Sequence, residues 1–145
     1  MDEFSYQELG RLLVSLCRLH HTRADQSMDK IGLYRGQAIL LMILSEQDGM
    51  THSEIAETLE ISPAAATKVI KRMEQAHYVQ RRADPADERV SRVYLQAQSH
   101  ALIAEIRTAF GRLDRMMLDG LPEPDLDRLR DLLTRMQANL LHFQP

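Results

Sequence analysis

The chain has 145 residues and a formal net charge of −3, and its 44% hydrophobic and 27% charged residues are ordinary for a globular protein. Cys17 is the only cysteine, which excludes an intrachain disulfide. The chain opens without an apolar signal segment and its longest apolar run, 38–44, is too short to cross a bilayer. We therefore expect a soluble, cytoplasmic protein that does not contact membranes.

The first predicted element is a helix with one apolar stripe. Ser5 and Glu8 have the spacing of a capping box, in which the two side chains bond each other's free amides at a helix start. Leucines then alternate at spacings of three and four, at Leu9, Leu12, Leu16 and Leu19. We expect this helix to fade near Asp25, and Gly32 to break the chain after it.

The second helix, predicted over 35–46, is apolar almost all round and should lie at the centre of the core. Beyond the turn at Asp48-Gly49, Thr51 and Glu54 form a second capping box that opens a short helix. Ser62-Pro63 then opens another helix, with serine as N-cap and proline at the first helical position. Residues 51–76 thus have the pattern of a helix-turn-helix, whose second helix enters the major groove of DNA.

After His77 the hydrophobic pattern changes from helical to alternating. The alternation predicts strands over 78–82 and 90–95. Residues 83–88 between them are polar and include a proline. We therefore predict a β-hairpin with a charged tip directly after the helix-turn-helix.

The last third of the chain predicts two helices, one over about 98–118 and one after the break at 120–124. Apolar residues of the final helix have the alternating spacing of a coiled-coil seam, at Leu126, Leu129, Leu133, Met136, Leu140 and Phe143. The first and last helices therefore both carry narrow seams, which one chain would leave exposed. We expect these helices to form a homodimer interface; packing within one chain is the alternative.

Charge is distributed unevenly along the chain. Residues 62–94 carry a net charge of +3, so the remainder carries −6. Because screening limits the reach of distant charges to about 8–10 Å, a basic face on an acidic body can still bind a polyanion. A basic hairpin after a helix-turn-helix predicts binding to double-stranded DNA.

Two other classes of protein compete with this interpretation. The chain has no glycine-rich phosphate loop, no nucleophile motif and no Cys/His cluster with metal-ligand spacing, so we expect neither an enzyme nor a cofactor or metal. A helical interaction protein without DNA binding would lack Lys68, Arg72 and Arg89, and this chain keeps all three.

The sequence resembles the MarR family of winged helix-turn-helix regulators. Helices of suitable length flank the matching region on both sides. The segments that carry the resemblance are 32–37, 51–56, 61–68, 71–74 and, most specifically, 81–89, which contains the family's D-x-x-D-x-R wing. His77 stands where the family usually has glycine, and Gln96 and Ser99 or His100 replace its usual threonine and glycine.

The resemblance implies a mainly α fold with a small β-hairpin wing (α+β), dimerised through the N- and C-terminal helices. Residues 1–34 and 97–145 would form the helical dimerisation region, and residues 35–96 the winged helix-turn-helix DNA-binding domain. The implied function is sequence-specific transcriptional regulation, as a repressor. The implied operator is pseudo-palindromic, with half-sites about one helical turn (10 bp) apart.

The second helix of the helix-turn-helix is the predicted recognition helix. Its alanine and threonine methyls suit thymine methyls, and Lys68 suits guanine. Lys71 and Arg72 lie further along, where phosphates come within reach. The predicted contacts of this helix are Ser62, Ala64, Ala65, Thr67, Lys68, Lys71 and Arg72. No Asn, Gln or Arg lies in its first turns, so we expect DNA shape to contribute to recognition.

The hairpin supplies the remaining predicted DNA contacts. Arg89, near the tip, resembles the family's minor-groove arginine. Basic side chains along the strands would track the DNA backbone, namely Arg81, Arg82 and Arg92. Asp84 and Asp87 repel DNA and should instead orient Arg89 or Arg72 through charge-assisted hydrogen bonds.

Members of the MarR family often bind small aromatic or lipophilic effectors, which implies a ligand pocket here. Candidate lining residues are Leu16, Cys17, His20, Tyr34, Met42 and Phe110, with ordinary core positions as the alternative. Cys17 is also a candidate redox thiol and, with His20, His21 and His100, a candidate metal ligand. A thiol- or metal-responsive regulator is thus an alternative, although we expect Cys17 to be a buried, inert thiol.

Overall fold

The computed structural model of the chain describes residues 3–143, with side chains from residue 5. Its elements are α1 (Glu3–Asp29), α2 (Arg35–Glu46), β1 (Met50–Thr51), α3 (His52–Leu59), α4 (Pro63–Gln75), β2 (Val79–Ala83), β3 (Ser91–Leu95), α5 (Ser99–Met117) and α6 (Glu123–Leu141). They divide into two compact units, Met1–Gly111 and Arg112–Pro145. The predicted fold class, mainly helical with a small β-wing, is confirmed.

The core of the first unit is built around α2, which has the predicted bounds 35–46. Ala38, Leu40 and Leu41 are fully buried on different sides of this helix, as its apolar composition requires. Side chains from the surrounding elements close over it, including Met28, Ile55, Ile70, Met73, Val79, Val93 and Ile106. The helix-turn-helix and the hairpin are therefore mounted on one shared core.

The sheet has three antiparallel strands in the order β1-β3-β2. β2 and β3 form the predicted hairpin, shifted by at most one residue at each end, with Val79 opposite Leu95. β1 is only Met50–Thr51 and pairs with the middle of β3. The sequence did not predict β1, because two residues are too few to show an alternating pattern.

The starts of α3 and α4 confirm both predicted caps. Thr51 Oγ1 accepts a hydrogen bond from the Glu54 amide at 3.2 Å, and Glu54 Oε2 accepts one from the Thr51 amide at 2.7 Å. The Ser62 hydroxyl oxygen accepts from the Ala65 amide at 3.1 Å, and Pro63 occupies the first helical position. These bonds satisfy amides that a helix start leaves free.

Helix α1 differs from its prediction at both ends. It already includes Glu3, so Ser5 lies inside the helix and the predicted capping box at Ser5 is wrong. The helix also continues past Asp25 to Asp29, because Met28 is buried in the core and holds the last turn in place. Gly32, with φ of +81°, lies in the turn that follows the helix, so the predicted break is confirmed.

The second unit contains α6, which begins directly after Pro122. None of the residues of α6 is buried within the chain, and the seam positions Leu133, Met136 and Leu140 are exposed. The predicted DNA-binding region 35–96 lies wholly in the first unit, and its division from a dimerisation region stays a prediction. No helix in the described part of the chain is both long and apolar enough to span a membrane.

Candidate nucleic-acid interface

The recognition helix α4 presents one apolar and one polar face. Ala66, Ile70 and Met73 anchor it in the core, with at most 1% of each exposed. The opposite face is solvent-exposed and carries Ser62, Ala64, Thr67, Lys68, Lys71 and Arg72, whereas Ala65 is half-buried. The helix therefore turns nearly all its predicted DNA-contacting side chains towards solvent. Their individual roles stay predictions.

Two side chains near the start of α4 have defined hydrogen-bonding states. The Thr67 hydroxyl donates to the Pro63 carbonyl oxygen at 3.0 Å, and the Ser62 hydroxyl oxygen caps the helix. Thr67 therefore has a methyl group rather than a free hydroxyl to offer a base. Lys68 and Lys71 have no ion-pair partner among the described residues, so both ammonium groups are available for DNA.

The turns on either side of α4 use left-handed residues that are not glycine. Glu60 has φ of +53°, and the Ile61 amide donates back to the Ala56 carbonyl oxygen at 3.0 Å. His77 has φ of +62°, and the Tyr78 amide donates to the Met73 carbonyl oxygen at 2.9 Å. Both are Schellman-type helix ends, which favour glycine at the left-handed position. His77, which stands where the MarR family usually has glycine, therefore occupies a position where any residue with a Cβ is strained.

Arg81 connects the wing (residues 79–95) to the recognition helix. Arg81 is opposite Val93, so strand alternation places it on the inner face of the sheet, next to α4. Its Nε lies 3.1 and 3.0 Å from the two carboxylate oxygens of Glu74, and its Nη2 lies 2.7 Å from Oε2. The hydrogen bond from Arg81 lowers the pKa of Glu74. The role of Glu74 could not be predicted from the sequence, because a contact between a helix and a strand leaves no periodic signal.

Arg92 is held at the base of the wing by groups from three segments. Its Nε donates to Asp84, its Nη1 donates to the Gly49 carbonyl oxygen at 2.9 Å, and Nη1 also lies 3.8 Å from Glu54 Oε2. The Ala86 amide and Arg92 together lower the pKa of Asp84. Asp84 was predicted to orient Arg89 or Arg72. That prediction is wrong, because the turn folds Asp84 back onto β3.

Asp87 has its predicted role. Its carboxylate accepts hydrogen bonds from Arg89 Nε and Nη2, both at 3.1 Å, and from the Arg89 amide at 3.0 Å. The side-chain hydrogen bond from Arg89 lowers the pKa of Asp87. The Arg89 side chain nevertheless remains 90% exposed at the wing tip. Its contacts are therefore local, and they leave the guanidinium accessible to a partner.

Two further arginines lie over tyrosine rings. The Arg72 guanidinium carbon is 5.7 Å from the centre of the Tyr34 ring, and that of Arg82 is 5.1 Å from the centre of the Tyr94 ring. Both distances are within the range of cation–π attraction. Arg72 thus has a tyrosine partner rather than the aspartate suggested by the sequence.

His52, the first residue of α3, lies near the pair formed by Glu74 and Arg81. Its Nε2 is buried and has no hydrogen-bond partner among the described residues. Burial lowers the His52 pKa, the positive charge of Arg81 lowers it further, and Glu74 acts in the opposite direction. His52 carries no signal of this kind in the sequence, because only the tertiary fold brings these groups together.

The predicted effector residues do not line the cavity found between α2, β3 and α5. That cavity is lined by Leu44, Ser45, Asp48, Leu95, His100, Ile103, Ala104 and Arg107. Among the six candidates, Leu16, Cys17 and Tyr34 are exposed, whereas His20, Met42 and Phe110 are half-buried. The expectation that Cys17 is buried is therefore wrong. In the described part of the chain, no three His, Cys, Asp or Glu side chains gather as a metal site would need.

Comparisons with known proteins agree with this geometry. The model of the MarR family matches residues 33–91. The chain is 28% identical over 113 residues to the HTH-type transcriptional regulator YdgJ of Bacillus subtilis, covering 78% of this chain and 69% of YdgJ. It is 23% identical over 131 residues to the HTH-type transcriptional repressor Rv2887 of Mycobacterium tuberculosis, covering 90% and 94% of the two chains.

The structural comparison shows the same fold. A solved structure of a MarR family protein from Bacillus stearothermophilus superimposes with a TM-score of 0.85 at 20% identity. The superposition covers 97% of this chain and 99% of the other.

Proposed function

We propose that this chain, a member of the MarR family of helix-turn-helix transcriptional regulators, represses transcription as a homodimer on a pseudo-palindromic DNA site. Each protomer would place α4 in one major groove and its wing along the adjacent backbone, in the cytoplasm where the operator lies. The exposed polar face of α4, backed by a fully buried apolar face, is the observation that carries this proposal.

The homodimer is supported by apolar surface that one chain leaves uncovered. In the first unit, the stripe of α1 is exposed at Leu9, Leu12, Leu16 and Leu19. In the second unit, α6 exposes Leu133, Met136 and Leu140, and Phe143 is exposed just after the helix ends. Soluble monomers rarely expose contiguous apolar stripes, and the heptad spacing suits helix-to-helix packing. We assign residues 1–34 and 97–145 to this interface.

The DNA contact that we propose for each side chain follows from which of its groups are exposed and unpaired among the described residues. Ala64, Ala65 and Thr67 would contact thymine methyls, while Lys68 would reach guanine. Lys71 would bind phosphate, which contributes affinity but not sequence preference. Arg89 would enter the minor groove beside each half-site, since its side chain is the most exposed of the wing arginines that form ion pairs.

The proposed function is tested by selecting duplexes from a random pool with the full chain, then measuring affinity by fluorescence anisotropy at several salt concentrations. The expected result is an inverted repeat with half-site centres about 10 bp apart, bound by two protomers. Affinity should fall steeply as salt rises, because bound phosphates release counterions. An unordered set of selected sequences, or binding by a monomer, would contradict the proposal.

A small lipophilic effector forms the second part of the proposal. The exposed apolar surface of Leu16 and Tyr34 and the half-buried side chains of Met42 and Phe110 support it. Such a molecule would release the protein from its operator by binding the free form more tightly. Thermal-shift screening of aromatic carboxylates and phenols against the free protein and its DNA complex tests this part. An effector should stabilise the free form and dissociate the complex, and a panel without such a compound would contradict it.

A further inference from the structure

The arginine side chains of the DNA-binding region differ in the kind of group that each one contacts, which is either a carboxylate or a tyrosine ring. Arg81 and Arg92 each connect separate segments through carboxylates, whereas Arg89 pairs with its near neighbour Asp87. Arg72 and Arg82 have no carboxylate partner among the described residues, and each lies over a tyrosine ring. The five arginines that the sequence predicts as DNA contacts are therefore not equivalent.

The type of partner decides which part of a guanidinium remains free. A carboxylate that pairs through two atoms occupies the Nε and Nη2 donors on one side of the guanidinium edge and neutralises its charge, as Glu74 does for Arg81. An aromatic ring attracts the face of the plane and leaves its edge donors free. A phosphate also binds through edge donors, so an arginine over a ring is held in place with its charge and all of its edge donors available for DNA.

The rings themselves are well placed for this role. Tyr34 precedes α2 and is 67% exposed, and its amide donates to the Gln37 side-chain oxygen at 2.9 Å. Tyr94 packs directly against Gly49: a Cβ added at Gly49 would lie 2.8 Å from a carbon of the Tyr94 ring. The hydrogen bond of the Tyr34 amide and the packing of the Tyr94 ring against Gly49 hold the two tyrosines in place, while the arginines above them are exposed.

Strand register separates the two kinds of arginine on the wing. Arg81 is opposite Val93, on the inner face that packs against the core, so it meets Glu74 of α4. Arg82 is opposite Arg92 on the outer face, where Tyr94 is its diagonal neighbour. Of these two adjacent residues of β2, Arg81 therefore pairs with α4, whereas Arg82 points outward over a tyrosine ring.

We propose that Tyr34 and Tyr94 are positioning residues for DNA binding, each holding an arginine, Arg72 or Arg82, with its edge donors free for a phosphate. Arg81 and Arg92 instead fix the wing to the rest of the first unit. This inference rests on the proposed function, because it concerns the same DNA-binding surface. It reassigns Arg81 and Arg92 from the predicted backbone contacts to a structural role.

The tyrosine role is tested at Tyr34 with a double-mutant cycle on a selected operator. Tyr34→Leu should weaken binding about two- to fivefold, which is the range of a cation–π contact at an exposed site. Tyr34→Phe should bind like wild type, since the ring is retained. In an Arg72→Gln background, Tyr34→Leu should have no further effect, because it acts through Arg72. Equal losses from Tyr34→Leu in both backgrounds would overturn the inference.

The arginine assignment is tested by comparing Arg82→Gln with Arg81→Gln, which remove the same charge from adjacent positions. Arg82→Gln should reduce the slope of log affinity against log salt by about one, as expected for one lost phosphate contact. Arg81→Gln should keep the wild-type slope and lower the urea midpoint of unfolding instead. Equal changes in slope for the two variants would overturn the assignment.

DNA binding by the wild-type protein distinguishes a failure of the proposed function from a failure of the inference about the tyrosines. Failure of the wild-type protein to bind any duplex would reject the proposed function and the inference together. Salt-dependent binding of the wild type, with no coupling between Tyr34 and Arg72, would reject only the inference. Unfolding curves for every variant identify any loss of affinity that comes from a loss of fold.

Discussion

Glu74 of the recognition helix and Arg81 of the wing lie 2.7 Å apart at their closest oxygen and nitrogen atoms. This pair joins two elements that would contact different parts of a DNA site. It also neutralises the positive charge of Arg81. The angle between helix and wing is thereby stabilised at the expense of one potential phosphate contact.

Glu74→Gln should tighten binding to random duplex DNA and steepen its salt dependence. The substitution removes a negative charge from the recognition helix and frees Arg81 to reach a phosphate. The cost in unfolding free energy should be below about 1 kcal/mol, since both partners are partly exposed. Fluorescence anisotropy measures the affinity, and urea unfolding measures the stability.

Glu57→Gln is the matched control, because it removes the same charge from an exposed position on α3. It should change affinity less than Glu74→Gln does. If the two variants bind alike, net charge rather than release of Arg81 explains the effect.

Arg89→Ala should weaken operator binding and reduce its salt dependence by about one phosphate equivalent. The fold should remain intact, because the Arg89 side chain is 90% exposed and its ion pair is with Asp87, two residues away in the same turn. Glu88→Ala, at the neighbouring exposed position, is the control and should not weaken binding. Anisotropy titrations at fixed and varied salt measure both variants. Unchanged affinity in Arg89→Ala would show that the wing tip does not contact DNA.

His77→Gly should stabilise the protein. His77 has φ of +62°, where a residue with a Cβ pays about 1–2 kcal/mol and glycine does not. The greater freedom of glycine in the unfolded chain offsets part of this, so we expect a net gain of about 0.5–1 kcal/mol. His77→Ala keeps the strain and should give no gain. Urea unfolding at constant protein concentration measures the differences, and equal stability of the Gly and Ala variants would contradict the strain.

His52→Gln should reduce the loss of stability at acidic pH. Burial and the charge of Arg81 place the His52 pKa in the folded state below the unfolded value of about 6.5. The unfolded chain therefore takes up this proton first, so stability is complete above about pH 6.5 and falls as the pH falls. Unfolding free energies at several pH values between 8 and 5, covering about three units around that pKa, measure the effect. Parallel curves for wild type and variant would exclude His52 as a source of the loss.

Leu133→Glu should dissociate the proposed homodimer. Leu133 is 46% exposed on α6 and occupies the predicted seam, so a buried carboxylate there would be unpaired in a dimer. Ala138→Glu introduces the same charge on the opposite side of the heptad pattern and should leave the dimer intact. Sedimentation equilibrium measures the mass of each variant. Dimers of equal affinity in both variants would place the interface elsewhere.

Much of the fold could be predicted because its signals are local. The apolar run of α2 predicts both its bounds and its burial, and the capping box at Thr51 and the N-cap serine at Ser62 predict the starts of α3 and α4. At Ser5 the same kind of signal was misleading, since a capping motif also occurs inside a helix that begins earlier. Local patterns are reliable here when the neighbouring residues also indicate a break.

The sequence by itself determined that a helix-turn-helix and a basic hairpin follow one another on an apolar core, because hydrophobic spacing and turn residues act over a few positions. Only the tertiary structure decided what each arginine binds. Arg92 meets the Gly49 carbonyl 43 residues away, and Arg72 meets a tyrosine that precedes another helix. Arginines have the same chemistry wherever they stand in a sequence, so strand register and helix packing alone separate those that pair with carboxylates from those that lie over tyrosine rings.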